Sequence, residues 1–340
     1  MTHVLENLPT KTELPCLQRI RAASVVKRRL TGGAGEVGAT HVTINYVPFL
    51  RWIRKSRIMT VVTAFTLPVI FSGSAFCEPG ASASSLTIHT YSAAPEGFLS
   101  NSYIIGVEND VIVIDAQFSP QEAKNVAKLV RSSGKRLSRI VITHPHPDHY
   151  YGLEVLGAQY NEAEILGGPL TINEVKNSLK FWAGSEAVGD TFGPTRLLSA
   201  NAATMNDIRA QYIVLSDGES IENTIIYIPS QQILFVGDLA SNGIHMWLAE
   251  GRFDNWLAQL TFLRSLGTFS AIYPGHGPVE GMVLLEEAEK YITDFQYVVR
   301  SSRDVDTAIE TMLRLYPEYK MPEILESSVR SAMASRNLAN

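Results

Sequence analysis

Cysteine is nearly absent from this sequence. The two cysteines, Cys16 and Cys77, both lie in the first quarter of the 340 residues, so no disulfide framework can stabilise the remainder. Hydrophobic residues make up 45% of the chain, which is enough for a core that needs no cross-links. We therefore expect one large or two modest globular domains.

Positive charge is scarce over most of the chain. The first 57 residues hold ten lysines and arginines against three acidic residues, out of totals of 29 and 34. The remainder therefore has 19 basic and 31 acidic residues. A groove for nucleic acid needs clustered Lys and Arg to displace counter-ions from phosphates, so we expect no nucleic-acid partner.

The sequence also lacks an apolar run suited to a permanent membrane span. After the basic stretch "RWIRKSR" come fourteen uncharged residues, 58–71, interrupted by Pro68 and followed by the small residues of "SGSA". A bilayer-spanning helix needs about 20 apolar residues. The order basic, apolar, small is typical of a secretory signal, so we predict a signal segment over 51–75, cleavage near Ala75, and a periplasmic or secreted product with no stable membrane span. A buried apolar helix or strand is the alternative.

Three further parts are predicted along the chain. Residues 1–50 show no sustained hydrophobic period and are interpreted as an N-terminal tail of unknown use. Residues 86–303 have the pattern of a single α/β unit, and 304–340 form a C-terminal helical extension. Strand pairs that alternate with helices predict two mixed β-sheets covered by helices on their outer faces.

The local signals predict individual elements within this unit. A helix begins at Pro120 with Ser119 as its cap, and Gly134 marks its end. Further helices are predicted at 171–181, 252–266, 283–301 and 305–315, and strands at 102–107, 111–115, 211–215, 223–228, 232–237 and 270–273.

One short turn concentrates potential metal ligands. The segment "HPHPDH", residues 144–149, follows the apolar strand "LSRIVIT" and contains three of the eight histidines in the chain. Imidazole and carboxylate are ligands of zinc and related transition metals, and the two prolines of the turn restrict its backbone. The spacing allows His144, His146, Asp148 and His149 to converge on two nearby points. The turn therefore predicts a metal site at the end of the strand.

This turn resembles the HxHxDH signature of the metallo-β-lactamase superfamily of binuclear metallohydrolases. Further matches follow in order: "VIVIDAQF" is similar to the strand that ends in an aspartate, here Asp115; "ILFVGDL" is similar to the strand with the metal-bridging carboxylate, here Asp238; and "IYPGHGPV" is similar to the closing histidine loop, here His276. The resemblance implies an α/β fold, an αββα sandwich of two mixed β-sheets flanked by helices, with its catalytic domain at 86–303.

One ligand of the family pattern is missing. The family has a histidine shortly before the strand that precedes "ILFVGD", but no histidine occurs between His149 and His245. Aligning "ENTIIYIP" with that strand places Glu219 at the position of the absent histidine, which is similar to the alkylsulfatase branch of the superfamily. Asp217 or Glu222 could supply the oxygen instead, or the first metal site could be incomplete.

The resemblance implies two divalent metal sites that share one ligand. The first consists of His144, His146 and Glu219, the second of Asp148, His149 and His276, and Asp238 bridges the two ions. Zinc is the first expectation. A glutamate in place of a histidine lowers the charge of the centre by one unit and favours harder ions, so Mn²⁺ and Fe²⁺ are alternatives.

The activity that the resemblance implies is metal-dependent hydrolysis of a small-molecule substrate. A hydroxide that bridges the two ions would attack an ester, amide, thioester or sulfate-ester bond, so no protein nucleophile is needed. Some members of the fold hold iron and act on oxygen or persulfides, so an iron-dependent redox enzyme is the alternative. Subclasses of β-lactamase with a cysteine ligand are excluded, because no cysteine follows Cys77.

Asp148, Asp115 and His245 are the candidate catalytic residues. Asp115 would orient a metal ligand, although an aspartate at a strand end is equally typical of a turn. His245 could bind substrate or donate a proton, or could be packed in the core. Ser241 stands where lactone-cleaving relatives have a tyrosine, which counts against a lactonase of that type. Four aromatic residues are candidates for an apolar pocket wall: Tyr150, Tyr151, Trp182 and Trp247.

Overall fold

The computed structural model describes residues 86–183, 195–197, 202–205 and 208–339. The predicted N-terminal tail and signal segment lie outside these ranges. Residue 182 is described through its backbone only, so the predicted role of the Trp182 side chain lies outside what the structure describes. Within the described residues, no helix has both the length and the apolar character that crossing a bilayer requires.

The first sheet has six strands that lie side by side in chain order. Strands β1 to β3 pair antiparallel, whereas β3 to β6 pair parallel, so the sheet is mixed. Its strands are β1 (Leu86–Ser92), β2 (Asn101–Val107), β3 (Asp110–Ile114), β4 (Arg136–Val141), β5 (Glu164–Gly167) and β6 (Thr195–Leu197).

The second sheet has five strands and is also mixed. Its order is β11-β10-β9-β8-β7, and only β10 and β11 pair parallel, because a helix connects them. Its strands are β7 (Ala202–Met205), β8 (Ile208–Ser216), β9 (Glu222–Ile228), β10 (Ile233–Ser241) and β11 (Ala271–His276).

Two groups of helices cover the sheets. Helix α1 (Pro120–Ser132) begins as predicted, since the Ser119 side chain accepts a hydrogen bond from the backbone N–H of Glu122. The other helices of the first group are α2 (Pro147–Tyr150), α3 (Leu153–Gln159) and α4 (Pro169–Ala183). The second group consists of α5 (Phe253–Ser265), α6 (Val283–Ser301), α7 (Val305–Leu315) and α8 (Pro322–Ala339).

Three hydrophobic cores separate the four layers. Between the sheets, alternate side chains meet, such as Tyr103 and Ile105 of β2 and Phe235 of β10. The intervening residues face the helices: Ile104 lies in the core shared with α1, and Leu234 in the core shared with α6. Because successive strand residues point to opposite faces, a strand that is buried on both faces is apolar throughout. The predicted αββα sandwich of two mixed sheets is therefore confirmed.

The C-terminal helices pack on the same core as the second sheet. Helix α7 starts after Asp304, whose side chain accepts a hydrogen bond from the backbone of Thr307. Met312 of α7 and Leu325 and Val329 of α8 are buried with side chains of α5 and α6. The segment predicted as a helical extension thus shares its core with the sandwich.

Candidate metal centre

Seven histidine and carboxylate side chains converge at one edge of the sandwich. They come from the ends of strands and from the loops beside them, and they form two groups whose ligand atoms lie within 4.8 Å of one another. His144 and His146 follow β4, Asp148 and His149 lie on α2, Glu219 precedes β9, Asp238 lies in β10, and His276 ends β11.

The first half-site consists of His144, His146 and Glu219. The Nδ1 atom of His146 is 3.1 Å from Oε1 of Glu219 and 3.1 Å from Nε2 of His144. The Nε2 atom of His144 is 3.9 Å from Oε2 of Glu219. One cation in this space would meet two imidazole nitrogens and a carboxylate.

The second half-site consists of Asp148, His149 and His276. Oδ2 of Asp148 lies 3.3 Å from Nε2 of His149 and 3.3 Å from Nε2 of His276. The two histidine nitrogens are 3.4 Å apart. The donor set is thus the same as in the first half-site: two imidazoles and one carboxylate.

Asp238 lies between the half-sites. One of its oxygens, Oδ2, is 3.6 Å from Nε2 of His144 and 3.1 Å from Nε2 of His276, and the other is 3.3 Å from Nε2 of His149. The backbone beside it leaves no room for larger residues, because a Cβ on Gly275 would lie 1.8 Å from Oδ1 of Asp238. The carboxylate therefore lies within 3.6 Å of imidazole nitrogens from both half-sites.

The structure brings Glu219, and neither of its two alternatives, into the cluster. Glu219 is buried. Asp217 is exposed and forms an ion pair with Arg252, with Oδ1 and Nε 2.9 Å apart. Glu222 is buried elsewhere, where its Oε2 accepts a hydrogen bond of 3.0 Å from the backbone N–H of Thr171.

Asp115 contacts a histidine of the second half-site from behind. Its Oδ2 is 2.9 Å from Nδ1 of His149, which fixes the tautomer that leaves Nε2 facing the cluster. The backbone N–H and the hydroxyl of Thr143 each donate to Asp115 over 2.8 Å. The same hydroxyl lies 2.9 Å from Nδ1 of His144, so one threonine connects both half-sites.

Sequence reasoning missed three groups that hold ligands. The carbonyl oxygen of Phe98 accepts a hydrogen bond of 2.8 Å from Nδ1 of His276. Oε1 of Glu250 lies 3.0 Å from Nε2 of His146, so the Nδ1 atom of this ring faces the cluster. The third group, the side-chain amide of Asn223, donates to Oε2 of Glu219 over 3.1 Å.

The electrostatics of the cluster favour cations. Burial by itself would raise the pKa of Asp148, but the charges of His149 and His276 hold it well below its usual value. Burial would likewise lower the pKa of His276, yet the negative charges of Asp238 and Asp148 raise it to about 10. Protonated histidines therefore balance the carboxylates until another cation takes their place.

Two buried oxygen atoms show that the residues fit a metal. Oε1 of Glu219 and Oδ1 of Asp238 are shielded from solvent and have no hydrogen-bond donor in good geometry, although imidazole nitrogens lie 3.1 and 3.3 Å away. Buried carboxylate oxygens are costly unless they are hydrogen-bonded, paired or bound to a metal. Because both point into a group of imidazole nitrogens, the donor set fits divalent transition-metal ions.

A cleft of about 310 Å³ opens beside the cluster. Its polar side includes Asp148, Asp238, His276 and Ser241. The predicted wall residue Trp247 lines it, whereas Tyr150 lines a separate cavity and Tyr151 stacks on Phe118 with ring centres 5.6 Å apart. Six side chains supply most of the apolar wall: Phe98, Phe118, Met246, Trp247, Met321 and Ile324.

His245 lies in the wall of this cleft and is almost fully buried. Its Nδ1 is 2.7 Å from the hydroxyl of Tyr291, and its Nε2 has no hydrogen-bond partner. Burial lowers the pKa of His245 to about 4, so the ring is neutral at physiological pH. The structure therefore places His245 beside the substrate space as an uncharged group.

The chain belongs to the metallo-β-lactamase superfamily. The family model described as "Metallo-beta-lactamase superfamily" matches residues 95–281, which is more than half of the chain. This range includes all seven residues of the cluster and also Asp115. Members of the family typically bind divalent metals, in agreement with the donor set described above.

Individual relatives are distant. The chain is 23% identical to the metallo-beta-lactamase type 2 of Bacillus cereus over 195 residues, which is 56% of this chain and 72% of that protein. It is 23% identical to a hydroxyacylglutathione hydrolase of Actinobacillus pleuropneumoniae serotype 3 over 180 residues, 52% of this chain and 66% of the relative. A solved metallo-beta-lactamase from Pontibacter korlensis covers 63% of this chain and 97% of its own, with a TM-score of 0.48 and 18% identity. The predicted class, a hydrolase of this superfamily, is confirmed at that level.

Proposed function

We propose that this protein is a binuclear metal-dependent hydrolase of small acyl compounds such as esters, amides or thioesters. One observation carries the proposal: two half-sites with the same donors, two histidines and a carboxylate each, share the carboxylate of Asp238. Such a pair of adjacent sites suits two ions that act on one substrate. The hydrolase relatives described above support the same reaction class.

The residues of the chain hold and orient the parts of this centre. Two bound divalent ions would supply Lewis acidity and a water of lowered pKa. Asp115 accepts from Nδ1 of His149 and the Phe98 carbonyl accepts from Nδ1 of His276, so in both rings Nε2 faces the cluster and would give up its proton when an ion binds. Asp238 fixes the separation of the half-sites, and the apolar wall excludes water from the side of the cleft that faces them.

Metal analysis and a hydrolysis screen test this proposal. We expect about two ions per chain after reconstitution, and turnover of at least one substrate among nitrocefin, aryl and alkyl sulfates, thioesters, esters, lactones and phosphodiesters. Asp148→Asn should abolish that turnover, and the exposed Asp306→Asn on α7 should not change it. One ion or fewer after reconstitution contradicts the binuclear proposal. Oxygen consumption by an iron-loaded protein without hydrolysis would favour the redox alternative.

Export is the second part of the proposal. It rests on the sequence alone, namely the basic, apolar and small residues of 51–75. We expect the exported protein to begin near Phe76, which N-terminal sequencing of material from the periplasm or medium would detect. Recovery of the chain from the cytosol with residues 51–75 intact would contradict export.

A further inference from the structure

The cleft beside the metal centre has an uneven distribution of charge. Its ionisable groups are histidines and acids, and among its described lining residues there is no lysine or arginine. Arg252, which is close to the cleft residue Glu250 in sequence, is bound to the carboxylates of Glu250 and Asp217. A negative group on a substrate would therefore find no basic side chain among these residues.

Glu250 makes the cleft unfavourable for anions. Its two oxygens are already engaged, Oε1 by Nε2 of His146 at 3.0 Å and Oε2 by the guanidinium of Arg252. A negative group of a substrate that lies away from the metal ligands would approach this carboxylate and lose water without a basic side chain to pair with.

Another part of the cleft lining favours an apolar group on the substrate. Phe98 and Phe118 pack edge to face with ring centres 5.2 Å apart, and Met321 and Ile324 at the start of α8 add aliphatic surface. A cavity of about 310 Å³ is at the lower end of the range for small-molecule sites. The space suits a compact apolar substituent.

The neutral state of His245 bears on the leaving group. Hydrolysis of an amide requires a proton on the departing nitrogen; because His245 is buried, neutral and bonded to Tyr291, an amide would depend on the attacking water for this proton. The oxygen leaving group of an ester needs a proton less. Among the substrates of the proposed function, an ester therefore suits this cleft best.

We infer that the substrate is an uncharged carboxylic ester whose compact apolar part packs against the wall formed by Phe98, Phe118, Met321 and Ile324. The inference rests on the proposed hydrolase function. It excludes acyl compounds that carry a charged group in place of this apolar part.

Three esters with one leaving group test the inference: p-nitrophenyl hexanoate, mono-p-nitrophenyl adipate and p-nitrophenyl 6-aminohexanoate. The acyl chains have similar lengths and end in a methyl, a carboxylate or an ammonium group. We expect kcat/KM of the metal-loaded full chain to be about thirtyfold higher for the hexanoate than for either charged ester. Equal or faster hydrolysis of a charged ester would overturn the inference.

A variant moves the preference in a defined direction. Ile324→Lys places a cation in the apolar wall, and we expect it to shift the ratio of adipate to hexanoate turnover by about tenfold toward the adipate. The matched control is Leu315→Lys, at an exposed leucine of α7 outside the cleft, which should leave the ratio unchanged. Thermal unfolding of both variants checks that they fold.

A binding measurement separates this inference from the proposed function. Trp247 lines the cleft, so its fluorescence reports occupancy without turnover, with Trp247→Phe as the blank. We expect N-hexylhexanamide, an uncharged amide, to quench it at lower concentration than adipate. If the amide binds more tightly but no ester, amide or thioester is hydrolysed, the hydrolase proposal fails and the preference for uncharged ligands stands. If adipate binds as tightly as the amide, the inference fails whether or not esters are hydrolysed.

Discussion

The two half-sites offer a metal the same donors but hold them in different surroundings. In the second half-site, His149 donates to the buried carboxylate of Asp115, and His276 donates to a backbone carbonyl. In the first half-site, His146 pairs with Glu250, whose side chain is 29% exposed. The two half-sites therefore have the same donor types. The hydrogen-bond partners that hold their histidines differ in how deeply they are buried.

This difference predicts unequal metal affinities. A hydrogen bond to a buried partner is screened less by water and salt than one to a partly exposed carboxylate. Glu250 in turn depends on Arg252, which also pairs with the exposed Asp217. We expect the first half-site to lose its ion before the second when a chelator is added.

Removal of the shared carboxylate of Asp238 should weaken metal binding at both half-sites and so abolish the difference between them. Asp238→Asn deprives both half-sites of a charged ligand, so we expect metal content to fall from about two ions to one or fewer and turnover to fall by about a thousandfold or more. Metal analysis after gel filtration measures the first effect. Asp306→Asn, at an exposed residue of α7 outside the cluster, is the control. Retention of two ions by Asp238→Asn would show that the aspartate does not bridge.

Removal of the carboxylate of one half-site should leave the other intact. Glu219→Gln keeps the size and loses the charge, so we expect about one ion per chain and a drop in turnover of several orders of magnitude. Glu219→His supplies the ligand of the commoner family pattern and should restore the second ion. Unchanged metal content in Glu219→Gln would mean that Glu219 is not a ligand.

Protons should distinguish the half-sites as well. Against the effect of burial, nearby carboxylates raise the pKa of both His149 and His276 in the second half-site, and of His146 in the first. A protonated ring cannot bind a metal, so affinity should rise with pH. We therefore expect metal binding to release protons at both half-sites, and to release more of them at the second, where the pKa is raised for two rings. Calorimetry of wild type and Glu219→Gln in buffers of different ionisation enthalpy measures these numbers; equal release would contradict the difference.

Removal of the buried carboxylate that holds His149 should reduce metal affinity moderately. Asp115→Asn leaves His149 free to adopt the wrong tautomer, so we expect metal affinity at the second half-site to weaken by about ten- to a hundredfold. Competition with a chromophoric chelator measures it. The same affinity in wild type and variant would support the alternative that Asp115 is only a turn residue.

The half-exposed support of the first half-site should have the smallest effect. Glu250→Gln keeps an oxygen that can accept from His146 but removes the charge. We therefore expect metal binding to weaken by about tenfold at the first half-site and to stay unchanged at the second. Glu318→Gln, at an exposed residue of the segment between α7 and α8, is the control. A loss larger than that of Asp115→Asn would reverse the order of support proposed here.

The sequence predicted the cluster better than its surroundings for a physical reason. His144 to His149 are neighbours in the chain, so their spacing alone brings their side chains together. Glu250 is 104 residues from His146 in the sequence. The hydrogen-bond acceptor of His276 is a backbone carbonyl, a group that every residue has. Contacts of this kind depend on the tertiary fold and leave no local signal. The metal-ligand role of the seven residues stays a prediction until metal is measured.

The fold shows the same division. Long buried strands such as β10 have a continuous apolar pattern and were predicted within a few residues of their bounds. β5 and β7, with four residues each, are too short for a pattern to develop, and β1 alternates between half-buried and exposed positions. These strands are stabilised by pairing with neighbouring strands. Such pairing depends on the tertiary fold and leaves no local pattern in the sequence.

The cleft beside the cluster is lined by residues from inside and from outside the range matched by the family model. Every residue of the metal cluster lies within the family-matched range 95–281, but Met321 and Ile324 lie beyond it, and the hydroxyl of Ser328 on α8 holds the backbone of Leu248 in the facing segment. Selection can therefore alter the wall through the C-terminal residues while the reacting centre stays constant. Two proteins of this kind could share every metal ligand and still consume different compounds, so sorting them by their histidine motifs would group together enzymes that the last forty residues distinguish.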